Sequence, residues 1–259
     1  MDLHLKNKVV LITGGASGIG EAIARSFFSE DANVAIVDRD ANRGSSLAAE
    51  FGQAGLFVET DLCNEADCKQ AVAKTIQRFG QIDIVVNNAG TNDLCGIAGG
   101  VAAFEESLKR NLVHCYSIVH HAAEHLKTNR GAIINIGSKV SDTGQGGTSG
   151  YAASKGAINA LTREWAVELA PNQVRVNAVI PAEVWTPMYE SWLDQQPDGQ
   201  AERERIEERI PLGNRFTTAQ EMANTVVFLA SPAASHTTGQ ILYVDGGYVH
   251  LDRRLGSPE

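Results

Sequence analysis

Short apolar runs alternate with longer amphipathic stretches along most of the chain. VVLIT (9–13), NVAIVD (33–38), GLFVET (55–60), IDIVVN (82–87), GAIINI (131–136), QVRVNAVI (173–180) and QILYVD (240–245) are apolar nearly throughout. That is the pattern of strands covered on both faces rather than one. Between them, residues 18–30, 41–52, 64–79, 103–127, 151–170 and 218–230 place apolar side chains at helical spacing. Strands alternating with helices predict an α/β domain: a doubly wound parallel sheet of about seven strands with helices on both faces. With no internal repeat, low-complexity tract or linker, one domain is expected over 1–259. Residues 183–217 break the alternation, are rich in charge and contain QQPDGQ, the features of a lid. The tail after His250, LDRRLGSPE, reads as a solvated end.

Composition narrows the partners. The chain of 259 residues is 43% hydrophobic and 20% charged, the balance of a chain with a real core, and its net charge of −9 repels phosphate backbones, so no nucleic-acid partner is expected. Cys63, Cys68, Cys95 and Cys115 include no C-x-x-C pair and read as reduced thiols. The opening MDLHLKNKVVLITGG has no signal-peptide pattern, and no apolar run approaches the ~18 residues of a membrane span. A cytoplasmic protein without membrane contact is the expectation.

TGGASGIG (Thr13 to Gly20) sits where the first strand turns into the first helix. There a glycine-rich turn lets backbone N–H groups approach a phosphate, and the helix N-terminus adds partial positive charge. Asp38 ends the second strand. A carboxylate at that point accepts hydrogen bonds from the ribose hydroxyls of NAD and repels the 2′-phosphate of NADP. Arg39, next in the chain, offers that phosphate a partner, so NAD is favoured and NADP stays open.

With Asp61-Leu62 after the third strand and NNAG (Asn87 to Gly90) after the fourth, the chain resembles the short-chain dehydrogenase/reductase family over essentially its whole length. The resemblance implies a Rossmann-type sheet. It implies that Gly14, Ser17, Gly18, Ile19 and Gly20 hold the pyrophosphate, that Asp61 and Leu62 meet the adenine, and that Asn88, Ala89 and Gly90 border the ribose. It also implies a homotetramer.

SGYAASKGA (149–157) puts Tyr151 and Lys155 four apart, on one face of a helix. A free phenol ionises only near pH 10, and an ammonium one turn away favours the phenolate. Tyr151 can then take a proton from an alcohol while hydride leaves the same carbon. Ser138, at the end of the fifth strand, is placed to hold the substrate oxygen. By the family likeness Lys155 also binds the ribose, and Asn111 bends the long helix around a water in a proton relay.

After the sixth strand comes PAEVWTPMYESW (181–192). The family's usual glycine is here Ala182, so the backbone must avoid positive φ or accept strain. The resemblance brings Pro181, the Val184 backbone and the Thr186 hydroxyl to the nicotinamide, and places Glu183 beside the reacting ring. A carboxylate there needs donors, and a polyhydroxy substrate supplies them. Trp185 and Trp192 are suited to stack on a sugar face, and Asn92 and Gln145 lie on loops that rim the same pocket in this family. The loop also resembles that of L-fucose dehydrogenases, which oxidise the anomeric carbon of an aldose to a lactone. The expected substrate is therefore a monosaccharide. A 17β-hydroxysteroid or other secondary alcohol is the alternative, and a non-catalytic NAD-binding regulator the alternative of another class.

His114, His121 and His125 recur along one stripe of the long helix. No acid-rich motif accompanies them, so no metal is expected, and they read as a subunit contact or a wet face. The run AERERIEER (201–209) reads as the wet face of a lid helix.

Overall fold

The computed structural model describes residues 2–252; the greater part of the tail expected to be a solvated end, 253–259, lies outside the described residues. Seven strands form one parallel sheet: β1 (Val9–Thr13), β2 (Asn33–Asp38), β3 (Gly55–Glu59), β4 (Ile84–Asn87), β5 (Ala132–Ile136), β6 (Arg175–Pro181) and, after a separate short pair β7 (Val184–Trp185) and β8 (Thr217–Thr218), β9 (Ile241–Val244). Their order is β3-β2-β1-β4-β5-β6-β9. The direction of winding reverses between β1 and β4, which opens a crevice beyond their carboxyl ends.

Nine α-helices surround the sheet among the described residues: α1 (Gly18–Ser29), α2 (Ala41–Glu50), α3 (Glu65–Phe79), α4 (Gly100–Leu108), α5 (His114–Asn129), α6 (Ser149–Leu169), α7 (Pro187–Leu193), α8 (Gly199–Glu207) and α9 (Ala219–Ala230). The apolar runs explain the layering. Successive strand side chains point to opposite faces, so Val10 and Ile12 pack with Ile23 and Phe27 of α1, Leu47 of α2 and Met222 and Val226 of α9. Leu11 packs on the other face with Val72 of α3, Ile118 of α5 and Ile158 of α6. Both faces are buried, which is why the strands carry no polar alternation.

Polar clamps set the ends of these elements. Arg175 of β6 donates to the carbonyls of Ala230 and Ser231 at 2.9 and 3.1 Å, satisfying the C-terminus of α9. Thr218 and Glu221 close a capping box at its start.

The long helix expected over 103–127 runs from Gly100 to Asn129 and is interrupted: residues Lys109–Val113 form a π-helical turn between α4 and α5. The lid region holds more order than its sequence suggests. Val184 pairs with Thr217 and Trp185 with Thr218, so β7 and β8 tie its two ends together. Leu193, Ile206 and Phe216 form a small apolar core of its own, with Trp185 and Tyr189 packed against it.

Candidate active site

A cleft of about 600 Å³ lies at the carboxyl ends of the strands, on the crevice between β1 and β4. The first turn borders it through Gly14, Ser17, Gly18, Ile19 and Gly20. Gly14 and Gly18 have φ of +64° and +56°, where a side chain would be strained. A Cβ on Gly20 would sit 2.0 Å from the Gly14 carbonyl oxygen. The turn is held from outside as well: Asn88 donates its side-chain amide to the carbonyls of Thr13 and Gly14 at 3.0 and 2.9 Å. Thr13 Oγ1 in turn accepts the backbone N–H of Asn88 and Ala89. Ser17 precedes α1 without a side-chain cap, so the amide groups of the helix's first turn face the cleft unpaired by it.

Asp38 and Arg39 border the far end, with Asp61, Leu62 and, unforeseen in the sequence, Arg43. The Asp38 carboxylate accepts N–H groups from Ala16 and Asp40, both at 3.0 Å, which fixes its orientation across the mouth of the turn. The cradle of bare backbone, the uncapped helix start and an oriented carboxylate fit a nicotinamide dinucleotide: amides for the pyrophosphate, Asp38 for the ribose.

Tyr151, Lys155, Ala89, Gly90, Pro181 and Thr186 line the middle of the cleft. Lys155, buried at 3% exposure, donates to the Ile136 carbonyl at 2.8 Å and lies 5.5 Å from the Tyr151 ring centre. Asn111 sits inside the π-helical turn, fully buried. Its Oδ1 accepts the Thr91 N–H at 2.7 Å and its Nδ2 donates to the Ser107 carbonyl. Gly90 explains how these groups converge: a Cβ there would lie 3.2 Å from Asn111 Oδ1 and 3.3 Å from Lys155 Nζ. Ser138 is nearly buried where β5 ends, its hydroxyl oxygen 3.4 Å from the Val140 N–H. Val184, whose backbone was expected at the nicotinamide, is buried in β7.

In the substrate loop Ala182 avoids positive φ, the unstrained of the two outcomes open to it. Two other residues of the loop depart from expectation. Glu183 is not a carboxylate waiting for donors. It is ion-paired with Lys139, and Tyr189 donates its hydroxyl to Glu183 Oε2 at 2.9 Å. Burial, and then the negative charge of Glu183, raise the Tyr189 pKa, so the phenol stays protonated and keeps donating. Trp185 is not an open platform either. It meets Phe216 edge-on at 5.3 Å, and the Arg203 guanidinium lies 4.4 Å over its ring. Trp192, 43% exposed, is the indole that remains open, edge-on to Tyr189. Thr186 caps α7 by accepting the Tyr189 N–H. Asn92 and Gln145 are both exposed and lie off the cleft; Gln145 borders a separate depression formed by residues 140–152.

The histidine stripe also needs correction. His114 is buried at 1% exposure, not on a wet or contact face, while His121 pairs with Glu65 at 2.7 Å. Among the described residues no group of three His, Cys, Asp or Glu side chains is placed to hold a metal, and no helix is long and apolar enough to cross a membrane. Lys139 and Tyr189 were missed in the sequence because nothing local marks them: Lys139 reads as an ordinary loop lysine until β5 and β6 are set side by side.

A family model described as enoyl-(acyl carrier protein) reductase matches residues 14–249. The chain is 36% identical to an L-fucose dehydrogenase of Bos taurus over 258 residues, covering 99% of this chain and 95% of that one. It is 46% identical to the crystal structure of Cj0485 dehydrogenase, with a TM-score of 0.95 and full coverage of both chains. It is also 32% identical to a 3-ketoacyl-(acyl-carrier-protein) reductase of Brucella melitensis complexed with NADH, with a TM-score of 0.86 over 95% of this chain and 99% of the other.

Proposed function

The chain belongs to the short-chain dehydrogenase/reductase family, an NAD(P)-dependent oxidoreductase acting on CH–OH groups, and from that premise we propose that its substrate is a neutral monosaccharide. The reaction is oxidation of the anomeric carbon of an aldose such as L-fucose to the lactone, with NAD as the preferred acceptor. The observation that carries this reading is the buried carboxylate of Glu183, only 12% exposed, at the head of the lid where β6 ends. Its charge is met by Lys139 and its Oε2 by the Tyr189 hydroxyl, but the ammonium and carboxylate side by side keep hydrogen-bonding capacity that a polyol can use and an apolar substrate would leave desolvated. The likeness to an L-fucose dehydrogenase supports the same reading.

Bound nicotinamide cofactor supplies the hydride acceptor. The chain's own residues do the rest. Ser138 orients the reacting oxygen, and Tyr151 takes its proton as the C–H bond breaks. Lys155, anchored on the Ile136 carbonyl, sets its positive charge beside the phenol and reaches the ribose. Asn111, fixed by Thr91 and Ser107, holds the π-helical turn that places the Lys155 side of the cleft. Asp38 accepts from the adenine ribose and disfavours a 2′-phosphate, while Arg39 and Arg43 keep NADP usable.

A second reading, a sterol or other secondary alcohol, is favoured by the exposed side chains of Met188 and Trp192 on the lid. Reduced-nicotinamide absorbance, read with purified protein, NAD or NADP and a panel of aldoses beside sterols and simple alcohols, separates the two. Reduction with L-fucose, D-arabinose or L-galactose is the expected result. Silence with every aldose and turnover of a sterol would overturn the sugar reading and leave the dehydrogenase standing.

A further inference from the structure

Lys139 and Glu183 come from different loops. Lys139 directly follows Ser138 where β5 ends, and Glu183 follows Pro181 where β6 ends. The two strands are neighbours in register, Ile136 beside Val179, so the ion pair bridges the loops after β5 and β6, which border the cleft through Gly137, Pro181 and Thr186. Both side chains are nearly buried, at 13% and 12% exposure.

Two further contacts hold the pair in place. Tyr189 donates to Glu183 Oε2, and the Lys139 ammonium lies 4.2 Å from the centre of the Tyr248 ring. A buried ion pair adds little net stability over an apolar pair of the same volume, because desolvation offsets its attraction. Fold maintenance alone therefore gives little reason for a lysine and a glutamate next to Ser138.

Resting on the sugar reading, we infer that Lys139 and Glu183 act as one charge-neutral recognition unit that reads a pair of neighbouring hydroxyls on the sugar. An ammonium has three N–H donors, and the hydrogen bond to Glu183 uses one. Each carboxylate oxygen of Glu183 accepts one bond and keeps a second lone-pair direction. Donor and acceptor thus stand side by side, the complement of a hydroxyl pair that gives one hydrogen bond and takes another. Because the charges cancel, the unit selects neutral sugars over uronic acids and amino sugars. Lys139 and Glu183 are specificity residues in this assignment, and Tyr189 and Tyr248 position them.

The test compares Lys139→Met, Glu183→Gln and the double variant K139M/E183Q, which carries no charge at either position and so leaves none buried unpaired. Each is measured for kcat/KM on L-fucose and on its monodeoxy analogues that keep the anomeric hydroxyl, for NADH affinity by fluorescence, and for melting temperature. All three variants are expected to lose about 10- to 100-fold in kcat/KM on the sugar, with NADH affinity within about twofold of wild type. At least one deoxy analogue should be penalised by the wild type and no longer by the double variant. A double variant that recovers wild-type kcat/KM, or that discriminates the deoxy analogues as wild type does, overturns the inference and leaves the sugar reading intact. A wild-type protein inert towards every aldose overturns both.

Discussion

The side-chain amide of Asn88 lies 2.9 Å from the carbonyl oxygen of Gly14, so the loop after β4 holds the turn after β1 in shape. The same amide nitrogen is 2.6 Å from where a Cβ on Gly20 would sit, and that Cβ would also strike the Gly14 backbone. Nothing flexible can yield there. Gly20→Ala should weaken NADH binding by at least about tenfold in a fluorescence titration. Asn88→Ala, which frees two carbonyls, should cost about 1–3 kcal/mol of stability as well. Wild-type affinity in G20A would mean that the turn is not the pyrophosphate site.

Tyr151→Phe removes only a hydroxyl. Its turnover should fall by about 10²- to 10⁴-fold, the usual share of acid–base catalysis, while NADH affinity stays within about twofold. Steady-state rates and binding measured on the same preparation check both halves. Substantial retained activity would assign proton transfer to another group.

Asp38 is held by the backbone amides of Ala16 and Asp40, and Arg39 and Arg43 border the same cleft. With Asp38→Ser the repulsion of a 2′-phosphate goes and both cations remain. The ratio of kcat/KM with NADP to that with NAD should rise by about tenfold or more. An unchanged ratio would mean that the carboxylate does not face the ribose.

Burial, reinforced by the positive charge of Lys155, holds the His114 pKa down at about 4, against 6.5 for an ordinary imidazole. The folded value lies below the unfolded one, so protons bind the unfolded chain more tightly. The histidine's full contribution to stability is present above about pH 6.5 and is lost progressively as pH falls towards about 4. That interval corresponds to about 3 kcal/mol. Urea unfolding at neutral pH and at pH near 4.5 should show a steep loss in wild type. His114→Gln, which cannot take the proton, should show a shallower one. Identical pH slopes in the two proteins would mean that the buried imidazole is not the group responsible.

Much of this protein is legible in its sequence, because much of it is decided locally. Whether a strand is covered on one face or two is written in its own side chains, and VVLIT or NVAIVD leaves no polar alternation for solvent. The glycine turn, Asp38 after β2 and the Tyr151–Lys155 spacing are short-range patterns whose geometry follows from one turn or one helix face. The tertiary structure alone decided the partners. Gly90 matters because Asn111 and Lys155, from two different helices, crowd the space a side chain would take. The stripe of histidines split, with His114 inside and His121 on Glu65, because α3 packs beside α5 and brings its first residue, Glu65, to His121. Trp185 turned into the lid because Phe216, remote in the chain, is brought beside it by the pairing of β7 with β8. Glu183 has a positive partner because β5 and β6 lie next to one another in the sheet. Periodicity records which face of an element is buried; it carries no record of which distant side chain meets that face, and the chemistry of the substrate loop depends on that meeting.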